Sequence, residues 1–335
     1  MHKGIRITLI VAIVVVLAAL SAWGVMYYLP NTFTKTDGSQ ILVIGSDQTG
    51  SEIADMLYEK RLIRSGDAFK LALRLSGDGA KLQTGYYQIP NHINTKELIE
   101  LLQQGHVKTI RVTIPEGYTI GDIAKELEKD RLVTAQAFLA EAKTYVPYQY
   151  MYSPKTVTYL VEGFLFPSTY DIPVDASPKD IIKLMAGEMD KQLTPSIRKK
   201  LEEKHMSIFE FITLASLVEK EALFDDDRMP IASVFEKRLA LGMPLQSDAS
   251  IQYILGYPKV HVTLADTKLQ SPYNTYVERG LPPGPIANPG IKSMNAVLDA
   301  TDTDYLYFVA DKEGHNHFSK TYEEHLKVVD SIYGD

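Results

Sequence analysis

Residues 7–29 contain no charged side chain, and only Thr8, Ser21 and Gly24 interrupt their apolar character. A helix needs about 20 apolar residues to cross the hydrocarbon core of a bilayer. Lys3 and Arg6 precede the run, and the first acidic residue is Asp37. The positive-inside rule then predicts a cytoplasmic tail at 1–6 and export of everything after the span. Trp23, Tyr27 and Tyr28 stand at the outer end, where amphipathic rings settle at headgroup level. A cleaved signal peptide is the alternative, with Ala19-Leu20-Ser21 as a small-x-small cutting site. Length and the aromatic end favour a retained anchor, and both readings export the body.

Over the full chain, 45% hydrophobic and 23% charged residues are ordinary globular values. They exclude a multi-span membrane protein and a mainly disordered chain. The net charge of −7 argues against a partner recognised through nucleic-acid phosphate. With no cysteine, a disulfide scaffold, a thiol nucleophile and a cysteine metal site are all excluded.

Residues 30–40 read as a polar linker. A strand is expected at 41–44, helices at 51–63 and 67–75, and a returning strand at 81–89. Ile53-Ala54, Leu57 and Arg61-Leu62 are echoed by Ile123-Ala124, Leu127 and Arg131-Leu132, and Ala68-Phe69 by Ala137-Phe138. A strand at 110–114 precedes the second copy, and a helix at 95–104 joins the two. The echo suggests a duplicated α/β unit, although two ordinary amphipathic helix pairs share such spacing. After residue 156, longer helices alternate with Pro- and Gly-rich loops. Ser207 and Glu210 form a capping box before a very apolar helix, and Thr321 and Glu324 form another before the last one. Residues 305–310 and 315–319 flank a turn and read as a hairpin.

The segment 211–222 (FITLASLVEKEA) places Glu219 after eight uncharged residues. On a helix it neighbours Ala215, Ser216 and Ala222, all small, so something else can approach it. Glu221 is flanked by Leu217, Val218 and Phe224. A carboxyl group at the end of a buried helix is a candidate general acid. Equally, 219–221 reads as the solvated end of a core helix, and periodicity does not separate the two glutamates. Four irregular segments together gather polar and aromatic residues: 162–170, 245–248, 271–276 and 280–290, with the rings in the first and third. Such loops suit a carbohydrate, whose apolar faces stack on rings. His315 and His317 share a strand face and could form a metal pair, but no matching ligand cluster accompanies them. The run 225–227 of three aspartates reads as an N-cap with charges favourable to the helix dipole.

Taken together, LASLVEKEA (214–222), EGFLFPSTY (162–170), LQSDASIQY (245–253), SPYNTY (271–276), GLPPGPIANPG (280–290) and YLYFVADKEGHNHFS (305–319) resemble the endolytic murein transglycosylase, or YceG-like, family. The likeness runs from about residue 41 to the end and is strongest over 162–319. It implies an α+β chain: the transmembrane helix at 7–29, a small LysM-like βααβ subdomain at 41–108, and a mixed α/β catalytic domain at 109–335 with the long apolar helix carrying the catalytic glutamate. It implies that Glu219 is the catalytic acid/base and that Glu221 supports it from behind. Glu162, Gln246, Asp248, Tyr273, Asn274, Tyr276 and Asn288 match positions that line the family's substrate cleft.

The implied activity is lytic cleavage of the MurNAc-β-1,4-GlcNAc bond in nascent peptidoglycan, leaving 1,6-anhydroMurNAc ends and terminating strand growth. The implied partners are glycan strands, the membrane and peptidoglycan synthases; no metal or organic cofactor is implied. Two rivals are a muramidase that uses water and a second carboxylate, and a non-catalytic membrane-anchored scaffold that binds glycan.

Overall fold

The computed structural model describes residues 11, 13–18, 21, 23–25, 27–29, 31, 40–45, 48–75, 77, 82–83, 85–90, 92–105, 109–152, 157–174, 176–259 and 261–334. The chain forms two compact units, Met1–Thr109 with Asp171–Val174, and Ile110–Tyr170 with Asp175–Asp335. Its strands pair into three two-stranded sheets: β1 (Gln40–Ile44) with β2 (Gly85–Ile89), β3 (Thr109–Thr113) with β4 (Thr169–Pro173), and β5 (Tyr307–Ala310) with β6 (Asn316–Ser319). The mixed α and β content agrees with the expected class. Among the described residues no helix is long and apolar enough to cross a membrane, so the span predicted at 7–29 finds no support in the structure. Part of that stretch, and nearly all of the linker at 30–40, lie outside the described residues.

In the first unit β1 runs antiparallel to β2, with Leu42 opposite Tyr87. The helices α1 (Gly50–Glu59), α2 (Gly66–Leu75) and α3 (Thr95–Gln104) cover this ribbon. Leu42, Ile53, Leu57, Phe69, Tyr87 and Leu98 form its core. Thr49 opens α1 through a capping box with Glu52. The helix stops at Glu59 and not at 63, because Arg61 takes a left-handed φ of 56° and Leu62 N–H returns to the Leu57 carbonyl at 2.8 Å. Leu62 and Ile63 are therefore buried by a turn and not by a helix. The returning strand is likewise shorter than 81–89.

The echo in the sequence is an echo in space. In the second unit α4 (Ile120–Lys129) opens through a Thr119–Asp122 capping box. Arg131 has a φ of 57°, and Leu132 N–H returns to Leu127 at 3.0 Å. Helix α5 (Ala135–Ala142) buries Phe138 as α2 buries Phe69. Both copies thus join their helix pair by the same left-handed arginine turn.

The remaining helices are α6 (Pro178–Gln192), α7 (Pro195–Glu203), α8 (Ile208–Glu221), α9 (Asp225–Ala240), α10 (Asp248–Leu255), α11 (Ile291–Leu298) and α12 (Tyr322–Tyr333). All residues of α8 from Phe211 to Val218 are buried, so this helix is apolar all round and central. Helices α7, α9, α10 and α11 pack against it. The expected caps at Ser207 and Thr321 are present. The cap of α9 is not an aspartate: Phe224 holds the N-cap position without a side-chain bond, and the three aspartates form the first turn. There they still oppose the positive end of the helix dipole.

Glu162 lies inside this unit, 2% exposed. It accepts the Ile120 N–H at 2.9 Å at the start of α4 and the Tyr253 hydroxyl at 3.2 Å. Burial pushes its carboxyl from 4.5 up to about 8, and the two hydrogen bonds only partly oppose the shift. Next to it Gly163 has a φ of +84°, and a Cβ there would stand 2.4 Å from Pro285 Cβ, so the chain needs glycine on both counts. Between about 4.5 and 8 the folded chain holds the Glu162 proton and the unfolded chain does not. This contribution to stability is therefore complete below 4.5 and is lost as pH rises through about 8. Urea unfolding followed across that window is expected to show a fall for the wild type that Glu162→Gln removes, with the variant the more stable at alkaline pH. A wild-type-minus-variant difference constant with pH would contradict the assignment.

Candidate active site

The last turn of α8 emerges from the core with Glu219 on one side and Glu221 on the other. At about 100° per residue, positions two apart point in nearly opposite directions. The two glutamates consequently meet different surroundings.

Glu219 has 6% of its side chain exposed. Arg228 Nη1 donates to its Oε1 at 3.1 Å, and Gly290 N–H donates to its Oε2 at 2.9 Å. Arg228 sits in the first turns of α9, 10% exposed at the side chain. Its Nη1 also donates to Ser293 Oγ of α11, and its Nε to Asp225 Oδ1 at 3.3 Å. Lys292 donates to the other Asp225 oxygen. The Lys292 hydrogen bond is the main cause holding the Asp225 carboxyl below its usual range. A buried guanidinium must be paired and hydrogen-bonded, and these acceptors satisfy that need.

A second carboxyl group reaches the same place. Glu116 is an exposed residue in the turn between β3 and α4. A Cβ built on Gly290 would lie 1.9 Å from its Oε1 and 2.1 Å from its Cδ. The Glu116 carboxyl group therefore rests on the bare Cα of the glycine whose N–H holds Glu219. Partial burial is the largest cause raising the Glu116 carboxyl above its usual range, followed by the charge of Glu219. Asp225 adds to the rise, while Arg228 and Lys292 oppose it. Nothing in the spacing of the sequence marked Glu116 or Arg228, and Gly290 stood out only as the end of the irregular segment 280–290. The signal available was weak: a Pro-Glu-Gly turn directly before a capping box.

The turn is fixed by the loop it faces. Gly117 N–H donates to the Asn288 carbonyl at 2.9 Å, and Asn288 N–H to the Tyr118 carbonyl at 2.8 Å. The Asn288 side chain is fully buried; its Nδ2 donates to Tyr118 and its Oδ1 accepts from Leu165 N–H. Ser216 Oγ accepts the Ile286 N–H at 3.0 Å, which draws the same loop onto α8. The small residue beside Glu219 thus admits a backbone strand.

Glu221 gathers the other loops. It accepts from Ser247 Oγ, and burial raises its carboxyl most, with Asp248 adding to the rise. Tyr276 donates its hydroxyl to Asp248 at 2.5 Å. Gln246 is exposed, with a left-handed φ of 53°, and its Oε1 accepts from the buried Arg238 at 3.2 Å.

The seven residues expected to line a cleft therefore divide. Gln246, Asp248 and Tyr276 form a half-open polar group joined to Glu221. Glu162, Tyr273, Asn274 and Asn288 are interior struts. Asn274 is fully buried and donates to the Thr267 and Leu269 carbonyls, and Tyr273 packs on Tyr253 with ring centroids 5.0 Å apart. Their polar atoms shape the loops from behind. His315 stacks on Phe224 at 3.8 Å while His317 bonds to Asp311, so the two rings have separate partners.

The YceG-like family model matches residues 42–331. The endolytic murein transglycosylase of Bacillus subtilis (strain 168) is 34% identical over 298 residues, covering 85% of this chain and 82% of the relative. That of Streptococcus pneumoniae serotype 2 (strain D39) is 33% identical over 355 residues, covering 96% of this chain and 64% of the relative, so the chain spans about two thirds of that longer protein. A 2.6 Å crystal structure of a yceG-like protein from Listeria monocytogenes superposes with a TM-score of 0.62 at 33% identity, covering 88% of this chain and all of that one. On this breadth of agreement, the chain belongs to the YceG-like family.

Proposed function

We infer that this chain is a peptidoglycan lytic transglycosylase with its proton chemistry centred on Glu219. The observation that carries the reading is the setting of that residue. It stands at the end of a helix buried from Phe211 to Val218, and both carboxyl oxygens are oriented by fixed donors. Two relatives at 33–34% identity bear the name endolytic murein transglycosylase.

The bond cut is the β-1,4 link from N-acetylmuramic acid to N-acetylglucosamine. A proton goes to the bridging oxygen as the bond breaks, and positive charge develops at the muramic C1. The C6 hydroxyl of the same sugar gives up its proton and its oxygen closes on C1. Because that nucleophile is internal, its effective concentration is high without an activated water. Gln246, Asp248 and Tyr276 are the polar groups open to bind the strand, held in place through Glu221 and Arg238. Hydrolysis is the second reading, and the Glu116 carboxyl beside Glu219 gives it a physical basis, since water-using glycosidases work with two carboxyl groups.

The chain acts from a membrane. Its described residues between 11 and 28 are helical, and Val11, Ile13, Val14, Val15, Val16 and Leu17 are all more than half exposed. An exposed apolar surface of this size seeks lipid or protein. Anchored there, the enzyme cuts new strands beside the synthases that make them.

Glu219→Gln is expected to lower the release of fragments from uncrosslinked glycan strands by about 10²-fold or more, without loss of folding. Wild-type products are expected to carry ends lighter by one water than hydrolytic ends. Ends of full mass would transfer the protein to the muramidase reading, and a Glu219→Gln variant as active as the wild type would displace Glu219. The full chain is expected to stay with membranes through an alkaline carbonate wash and to leave them when residues 1–30 are deleted. A mature chain that starts near residue 21 would show a signal peptide instead.

A further inference from the structure

We propose that Glu116 is the second working carboxyl group of this site: it delivers the proton to the leaving oxygen, while Glu219 takes the proton from the C6 hydroxyl. The proposal rests on the lytic reading above and divides its two proton transfers between two residues.

Geometry is the first ground. Both oxygens of Glu219 accept hydrogen bonds from Arg228 and Gly290, donors fixed by α9 and by the start of α11. Each of those oxygens keeps a lone pair that can take up the O6 proton while the donors hold the group in place. Among the described residues Glu116 has no such pair of donors, and its carboxyl lies on the same glycine with the residue open to solvent. Of the two groups it is the one free to present a proton outward.

Charge is the second. The groups acting on Glu116 are the anions Glu219 and Asp225 and the cations Arg228 and Lys292. These four balance, so ionising Glu116 adds a negative charge without a counter-ion. Partial burial and the Glu219 charge both favour its protonated form. Lys220 stands nearby, but its ammonium turns to the Gly117 carbonyl at 3.4 Å.

The step balances without water or any co-reactant. The C1–O4 bond breaks and O4 receives the Glu116 proton. The C1–O6 bond forms and the O6 proton passes to Glu219. The pair ends with the proton on its other member, and transfer back across the Gly290 neighbourhood resets it.

Three variants of the full chain test this, with folding checked by thermal unfolding. Glu116→Gln is expected to lower kcat by about 10²-fold with KM little changed, and to abolish the decline of wild-type activity toward alkaline pH. Glu116→Asp is expected to restore part of the rate and that decline. Gly290→Ala places a methyl where the Glu116 carboxyl lies and swings that flexible end aside while the 290 N–H stays on Glu219, so it is expected to match the loss in Glu116→Gln. A readout independent of activity is the carboxyl 13C titration of Glu116, which is expected to move to lower pH in Glu219→Gln. The proposal is overturned if Glu116→Gln keeps the wild-type kcat and pH profile, or if the Glu116 titration ignores Glu219→Gln. A wild type that releases only hydrolytic ends, or cleaves nothing, removes the lytic reading and this division of roles with it; cleavage to anhydro ends that Glu116→Gln leaves untouched removes this division alone.

Discussion

The site depends on one backbone amide. Gly290 donates its N–H to Glu219 and offers its bare Cα to the carboxyl group of Glu116. A side chain at this position would meet the Glu116 carboxyl first. Its placement follows from a short exchange of hydrogen bonds between the turn at 116–118 and Asn288, and from Ser216 drawing Ile286 onto the central helix. A shift in that loop would uncouple the two carboxyl groups before it touched either of them. This is why a fully buried asparagine belongs here: each of its polar atoms has a backbone partner, and leaving one unmade would cost about 1–3 kcal/mol.

Rigidity comes from α8. A helix buried on every face from Phe211 to Val218 cannot rotate without breaking several packed surfaces at once. Its last turn therefore projects Glu219 and Glu221 in fixed and nearly opposite directions. Glu219 meets charges and a backbone amide. Glu221 meets hydroxyls and the start of α10, and through Ser247 it holds the loop that carries Gln246 and Asp248. One helix end thus serves two tasks with two residues of the same chemistry.

Local chemistry made much of this legible from the residues alone. Capping boxes at Ser207 and Thr321 and the hairpin near the C-terminus all depend on neighbours within a few residues. Local spacing marked the end of α8 as a place where a charge follows a long apolar run, but only the family resemblance singled out Glu219 over Glu221. Glu116 was not legible, because its partner Gly290 lies far along the chain and only the folded loop brings them together. Burial was the other blind spot. Glu162, Asn274 and Asn288 have side chains that suit a sugar, and spacing cannot tell a polar group facing a ligand from one facing its own backbone. The end of α1 was misjudged because a left-handed turn buries Leu62 where a continuing helix would also have buried it.

The duplication shows how chemistry was added to a scaffold. Both copies share the capping box, the arginine turn and the buried aromatic of the second helix. In the second copy the connection from strand to first helix reads Pro115-Glu116-Gly117, and the matching positions of the first copy are Gly45, Ser46 and Asp47. The helix pair needs nothing from those positions, since its cap begins at Thr49 and Thr119. They are free to vary, as loops on a rigid frame are. Only the second copy places a glutamate there with a glycine after it, and that Gly117 takes the positive φ of 75° at which its N–H bonds to Asn288. The carboxyl group that reaches Gly290 is thus a property of one connecting loop, and the fold of the repeat would survive its loss.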